Sequence, residues 1–172
     1  ERKVKNEERK YPGSLKLVSI ARISPEKGTL HALRFLKQIR GGVVRFDLYG
    51  PVYNEEYWKE CLKVIGELPG HITVEHHGPV EGDRVGEVLS GAHFLLMPTE
   101  GENFGHSILE ALSAGRPVII SDRTPWENLK VRKAGFDLPL EESSAFVRAL
   151  ERTLAMDEAE WQQWSSGAES LA

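Results

Sequence analysis

The sequence contains a single cysteine, Cys61, among its 172 residues. One thiol cannot build a disulfide framework or a cysteine-based metal centre, so we expect a protein of a reducing compartment, the cytoplasm. Long apolar runs are also missing, since no stretch approaches the ~20 residues that a membrane-spanning helix needs. The sequence therefore predicts no membrane span, although peripheral attachment of a full-length protein to a membrane stays open.

Several motifs that would assign a ligand are missing too. No Gly-x-Gly-x-x-Gly opens the first predicted helix, and neither a P-loop nor an Asp-x-Asp pair occurs. The net charge of -4 gives no global basic surface, so we expect no nucleic-acid partner. His76 and His77 end a predicted strand and should point to opposite faces, which argues against a shared metal ion. We expect no metal and no other cofactor.

What the sequence does contain is an alternation of short apolar runs with helix-period segments. Strands are predicted at 15–20, 43–49, 72–76, 93–97, 118–121 and 136–140. Helices are predicted at 28–40, 54–68, 84–90, 104–114, 126–133 and 157–167, with another that Ser143 caps. Strands alternating with helices indicate an α/β fold, namely a doubly wound, Rossmann-like parallel sheet with helices on both faces. We assign 14–172 to this domain and 1–13 to a charged arm or linker, because residues 1–10 carry eight charges.

Two tryptophans, Trp161 and Trp164, lie three residues apart near the end of the chain and should share one helix face. Their simplest interpretation is apolar contact within a terminal helix. Packing of that face on another domain stays open.

The stretch 97–112 reads as the end of a buried strand, a polar turn and a helix. Asn103 can cap that helix, and the backbone N–H groups of Gly105, His106 and Ser107 would then form an electropositive end suited to phosphate. Ligands of open α/β sheets bind beyond the carboxyl ends of the strands, where this turn would lie.

Two carboxylates, Glu102 and Glu110, stand eight residues apart in this stretch. If most of the interval is helical it spans about 12 Å, a reach comparable with that from a sugar to a ribose across a diphosphate. The alternative is that Glu102 is a turn residue and Glu110 a solvated helix position.

A second loop, 19–28, leaves the first strand at the same edge of the sheet. Arg22 offers a planar fork for phosphate and Lys27 a mobile positive charge. Arginine and lysine are commonplace in exposed loops, so these two residues gain weight only because the helix end at Gly105 should lie nearby.

The chain resembles the C-terminal domain of family 4 retaining glycosyltransferases, which have the two-domain GT-B fold. Three segments carry the resemblance in order, namely ARISPEKG at 21–28, PTEGENFGHSILEALSAGRPVI at 98–119 and SDRTPWENL at 121–129. The second contains the E-x7-E motif of Glu102 and Glu110. The similarity covers about 14–155, with Ala21 replacing the glycine that the family usually has before Arg22.

The resemblance implies a role for each matching position. Arg22 and Lys27 would bind the diphosphate and stabilise it as it leaves, and Glu102 would contact the transferred sugar. Glu110 would contact the ribose hydroxyls, and the base would lie near Gly78 and Val80. Further donor contacts would come from Asn103, Phe104, Gly105, His106 and Ser107.

The implied function is that of the donor-binding domain of a metal-independent, retaining hexosyltransferase, which transfers a sugar from a nucleotide-sugar to a glycan or lipid-linked acceptor. The family's N-terminal acceptor domain is missing from this sequence, so we expect the chain alone to bind donor but to transfer poorly. A non-catalytic nucleotide-sugar or phosphate-binding module and a nucleotide-sugar epimerase of related fold are the alternatives. A phosphorelay receiver is disfavoured, because the first and third predicted strands end without an aspartate.

Overall fold

The computed structural model describes residues 9–102 and 105–172. Its centre is one sheet of six parallel strands in the order β3-β2-β1-β4-β5-β6. The strands are β1 Ser14–Ile20, β2 Val43–Tyr49, β3 Ile72–Gly78, β4 Phe94–Met97, β5 Val118–Ser121 and β6 Gly135–Leu138. The chain runs outward from β1 to β3 and returns to place β4 beside β1, which creates a topological switch point between these two strands.

Six α-helices connect or follow the strands in the described part of the chain. They are α1 Thr29–Lys37, α2 Glu55–Gly66, α3 Val85–Ser90, α4 His106–Ser113, α5 Ser143–Ala155 and α6 Glu158–Leu171. The start of α2 follows the sequence rule, since Asn54 Oδ1 accepts a hydrogen bond from the backbone N–H of Tyr57 at 3.0 Å. None of the helices described is long and apolar enough to cross a membrane.

The core has two layers, one on each face of the sheet, and β1 contributes to both. Leu17 packs with residues of α1, α2 and α5, whereas its neighbour Val18 packs with residues of α3 and α4. Successive strand residues point to opposite faces, so two adjacent apolar residues can be buried only when helices cover both sides. The doubly wound, Rossmann-like architecture expected from the sequence is confirmed.

The segment 126–133, for which a helix is expected, instead forms turns. The carboxylate of Asp137 accepts hydrogen bonds from the backbone N–H groups of Asn128 at 3.1 Å and Leu129 at 3.0 Å. Asn128 and Lys133 have positive φ angles of 57° and 53°, which no α-helix accommodates. The helix prediction is wrong here because a side chain on β6 satisfies backbone groups that a helix would otherwise bond.

The start of α5 also differs from the expectation. Ser143 is the first helical residue rather than the cap, Glu142 occupies the cap position, and no side-chain capping bond forms. The helix is held instead by its apolar face, including Phe146 and Leu150, which are fully buried.

Lys10 lacks the solvated character expected of the charged segment in which it lies. Its side chain is buried, and Nζ donates hydrogen bonds to the carbonyl oxygens of Tyr11, Leu154 and Met156 at 2.9–3.1 Å. Three acceptors match the three N–H donors of an ammonium group, which makes its burial tolerable. Burial nevertheless lowers the pKa of Lys10 to about 8. Residues 1–8 lie outside the described part of the chain.

His93, which directly precedes β4, also contacts the segment around Lys10. Its Nδ1 accepts a hydrogen bond from the Lys16 backbone N–H at 3.0 Å, so the proton of the neutral ring is on Nε2, which donates to the Arg9 carbonyl at 3.2 Å. Burial lowers the pKa of His93 to about 4.

Both tryptophans of α6 pack inside this domain. Trp161 is fully buried and donates from Nε1 to the His93 carbonyl at 3.0 Å. Trp164 stacks on Phe136 with ring centroids 5.1 Å apart. The simpler of the two interpretations is therefore confirmed.

Candidate functional site

A cleft of about 260 Å³ opens at the switch point, beyond the carboxyl ends of β1 and β4 and beside the start of α4. Its walls come from the loop after β1, from the loop after β4 and from the first residues of α4. The lining residues are Ile20, Ala21, Arg22, Lys27, Met97, Glu102, Gly105, His106, Ser107 and Ile108. Six of the eleven site residues proposed from the sequence thus share one cavity, where this fold class binds its ligands.

The start of α4 forms one wall of the cleft. Gly105 precedes the first helical residue with a left-handed φ of 63°, and no side-chain capping bond is formed. The Ser107 hydroxyl donates to the Ile20 carbonyl at 2.6 Å and so joins α4 to the end of β1. The first backbone N–H groups of a helix have no intrahelical acceptor, so this wall carries partial positive charge. Asn103, the predicted cap, and Phe104 lie outside the described residues.

Trp126 lies behind Gly105 and limits what this position can hold. A Cβ atom on Gly105 would lie 3.0 Å from Trp126 Nε1, closer than side chains normally approach. The Nε1 atom is buried, and it has no hydrogen-bond partner in the described part of the chain. Trp126 therefore packs against the wall of the cleft that Gly105 forms.

The two loops of the cleft are fastened to each other through their backbones. The Glu26 carbonyl accepts hydrogen bonds from the Glu100 N–H and the Thr99 hydroxyl, both at 2.8 Å. A Cβ atom on Gly28, whose φ is 77°, would lie 2.0 Å from the Pro98 carbonyl oxygen. Only glycine fits this approach, which brings the end of the first loop directly against the second.

Lys27 and Glu102 form an ion pair across the cleft, with Nζ 2.8 Å from Oε1. Both side chains are less than one-fifth exposed. Sequence reasoning gives these residues separate partners on a ligand. The structure adds that each side chain is the other's partner.

Arg22 is held differently. Its guanidinium carbon lies 5.0 Å from the centre of the Tyr53 ring. Within the described residues no carboxylate forms an ion pair with it. Sequence reasoning missed Tyr53, because the loop after β2 carries no pattern that marks it.

Among the described residues, three predicted site residues lie outside this cleft. Glu110 is exposed on α4, one turn beyond His106. Val80 lines a separate hollow of about 350 Å³ beside Tyr49, and Gly78 ends β3. Ala21 lines the cleft and Tyr49 lines the hollow, and the Ala21 N–H donates to the Tyr49 carbonyl at 2.9 Å. The hollow and the cleft therefore lie side by side.

The described residues contain one group with metal-ligand spacing, Asp47, Glu75 and His77, on the face of β2 and β3. Arg45 pairs with both of its carboxylates. The Arg45 guanidinium therefore already neutralises part of the negative charge of this group. His76 lies on the opposite face of the sheet against Trp58, so the expected divergence of the two histidines is confirmed.

Comparisons with known proteins assign this architecture to a family. The family model described as glycosyl transferases group 1 matches residues 1–169. No curated protein matches the sequence convincingly.

Solved structures show the fold. HepE from Anabaena, in complex with UDP-glucose, superposes with a TM-score of 0.78 at 21% identity over 92% of this chain and 43% of its own. Sucrose-phosphate synthase from Thermosynechococcus elongatus gives 0.76 at 21% identity over 91% and 40%. The C-terminal domain of LpcC from Francisella tularensis gives 0.72 at 17% identity over 94% and 85%.

The chain spans less than half the length of the first two of these proteins but most of the excised C-terminal domain. Its six-stranded parallel sheet is that of the C-terminal domains of GT-B glycosyltransferases. With the family model matching nearly all of it, the chain belongs to the glycosyl transferases group 1 family.

Proposed function

We propose that this domain binds a nucleotide-sugar and acts as the donor half of a family 4, retaining glycosyltransferase. The observation that carries the proposal is the convergence of Arg22, Lys27 and the start of α4 on one cleft at the switch point of the sheet. These three elements are all positive, and they come from two segments that are far apart in the sequence, the loop after β1 and the start of α4. A diphosphate is the part of a nucleotide-sugar that such a cleft fits.

The same groups explain how transfer would be assisted. Negative charge builds on the nucleoside diphosphate as the bond to the sugar breaks, and preorganised cations and helix N–H groups stabilise charge that develops. Each charge-assisted contact contributes about 1.5–3 kcal/mol. Since Arg22 and Lys27 can supply this neutralisation, the proposed reaction needs no metal.

The remaining roles follow the order of groups along a nucleotide-sugar. Glu102, inside the cleft, would accept hydrogen bonds from the transferred sugar, and Glu110, farther along α4, from the ribose. The hollow beside Val80 and the strand end at Gly78 would receive the base. The structures of HepE with UDP-glucose and with UDP and glucose support a ligand of this class.

The acceptor, a glycan or a lipid-linked saccharide, would bind between this domain and an N-terminal domain of the same polypeptide. The proposal draws on the length of HepE and sucrose-phosphate synthase, of which this chain spans 43% and 40%. Retaining transfer requires the acceptor hydroxyl to be held near the sugar in a water-poor cleft. The 172 residues alone should therefore bind donor and hydrolyse it slowly at most.

Calorimetric titration with UDP, GDP and ADP in the presence of EDTA tests the proposal. At least one nucleotide should bind, and the Arg22→Ala/Lys27→Ala variant should bind it at least tenfold more weakly. A matched control is Lys59→Ala/Lys63→Ala, which removes two exposed charges from α2 and should leave the affinity unchanged. Equal binding by both double variants, or no binding without a divalent metal, would contradict the proposal.

A further inference from the structure

Tyr53 is a large aromatic side chain that remains 71% exposed although it lies at the functional edge of the sheet. The ring contributes little to the core. It contacts Arg22, whose guanidinium carbon lies 5.0 Å from the ring centre.

The backbone, rather than the side chain, fixes where Tyr53 lies. Beyond the ends of β1 and β2, Ile23 and Val52 form an additional parallel bridge. The Ile23 N–H donates to the Pro51 carbonyl at 2.8 Å, and the Tyr53 N–H donates to the Ile23 carbonyl at 3.2 Å. Ile23 itself is 1% exposed, so the core anchors this bridge. These backbone hydrogen bonds thereby hold Tyr53 beside Arg22.

A guanidinium that lies over an aromatic ring is attracted through its charge and uses none of its five N–H donors in a hydrogen bond to the ring. The contact therefore restrains the guanidinium without consuming the donors that would bind phosphate. Lys27 has Glu102 as its partner in the cleft, whereas Arg22 has an aromatic ring in place of an acid. A ring restrains a cation without having to be displaced when an anion arrives.

We propose that Tyr53 is a positioning residue, which holds the Arg22 guanidinium at the place where it can bind the diphosphate of the donor. This inference rests on the proposed function. It assigns to Tyr53 no contact with the ligand, and it requires the aromatic ring but not the hydroxyl. Loss of the contact should weaken nucleoside diphosphate binding by roughly two- to fivefold, the range that corresponds to an exposed cation–π contact.

The test is a double-variant cycle on the full chain with UDP, GDP and ADP as probes. Tyr53→Phe should bind like the wild type, and Tyr53→Leu should bind two- to fivefold more weakly. In an Arg22→Ala background, Tyr53→Leu should have no further effect. Tyr11→Leu is the matched control, because Tyr11 is 58% exposed with the Arg9 guanidinium 6.0 Å from its ring. This control variant should leave the nucleotide affinity unchanged.

A readout without ligand separates positioning from folding. The ring current of Tyr53 should shift the Arg22 side-chain NMR signals of the free protein, and the shift should vanish in Tyr53→Leu but persist in Tyr53→Phe. A Tyr53→Leu effect that persists in the Arg22→Ala background would mean that the ring touches the ligand, and would overturn the inference alone. If the wild type binds none of the three nucleotides, the proposed function is overturned, and the positioning role with it.

Discussion

Lys27 and Glu102, which are 75 residues apart in the sequence, meet in the cleft with 2.8 Å between Nζ and Oε1. Both side chains line the space in which, under the proposed function, a diphosphate and its sugar would lie. A diphosphate would then take Lys27 from Glu102 and leave the carboxylate available to the sugar. In the proposed function the pair thus links recognition of the two parts of the donor.

Glu102→Gln should leave binding of a bare nucleoside diphosphate intact or tighten it about two- to fivefold. The reason is that a partly exposed ion pair contributes about 0.5–1 kcal/mol, which a phosphate would no longer have to overcome. Binding of the complete nucleotide-sugar should weaken, because the amide lacks the charge that strengthens hydrogen bonds from sugar hydroxyls. Calorimetry with both ligands measures the contrast, and a variant that loses affinity for the bare nucleotide would contradict it.

Glu110→Gln should weaken binding of the bare nucleotide and of the nucleotide-sugar by the same factor, roughly tenfold, because the proposed ribose contact is common to both. The control is Glu151→Gln, which is exposed like Glu110 but lies on α5, a helix that contributes no residue to the cleft. If both variants bind like the wild type, Glu110 is a solvated helix position and the alternative raised by the sequence is correct.

Gly105→Ala should destabilise the domain by about 1–2 kcal/mol, the cost of a left-handed backbone for a residue with a Cβ atom. The contact with Trp126 at 3.0 Å adds to this cost and should distort the wall that α4 presents to the ligand. Urea unfolding and nucleotide titration measure the two effects separately. As a control, Gly66→Ala in α2 has open space around its Cβ and should stabilise by about 0.4–1 kcal/mol.

His93 should make the domain less stable as the pH falls from about 6.5 towards 4. The folded state keeps the ring neutral, with a pKa of about 4 instead of 6.5, so the unfolded state binds the extra proton first. The stability contributed by the neutral ring is complete above pH 6.5 and is lost as the pH approaches 4. Between pH 7 and 5 the loss should be about 2 kcal/mol. Unfolding free energies of the wild type and His93→Gln across this range check the prediction, and equal slopes would refute it.

The sequence predicts the strands well because β4 and β5, buried on both faces, leave short buried runs, whereas β2 and β3 leave an alternation of buried and more exposed residues. Strands β2 and β5 have the predicted bounds, and α2 starts where Asn54 can cap it. The position of the cleft also follows from the sequence, since parallel strands bring their carboxyl ends to one edge. Arg22 and the start of α4 meet there as expected.

What the sequence could not predict depends on partners distant along the chain. Asp137 replaces the helical hydrogen bonds expected at 126–133, and no local pattern distinguishes its carboxylate from a solvated one. Lys10 lies in a charged segment, yet two of its three acceptors are 144 and 146 residues away. The ion pair of Lys27 with Glu102 has the same origin, because spacing indicates which groups share an edge but not which of them touch.

The hydrogen bond from the Ser107 hydroxyl to the Ile20 carbonyl has a kinetic consequence. It fixes the start of α4 to the end of β1, so these two walls stand at their final separation before any ligand arrives. A nucleotide then needs no assembly of these walls. Its association rate should be set by encounter with the positive cleft, falling as salt screens that attraction, and by the exchange of Lys27 away from Glu102.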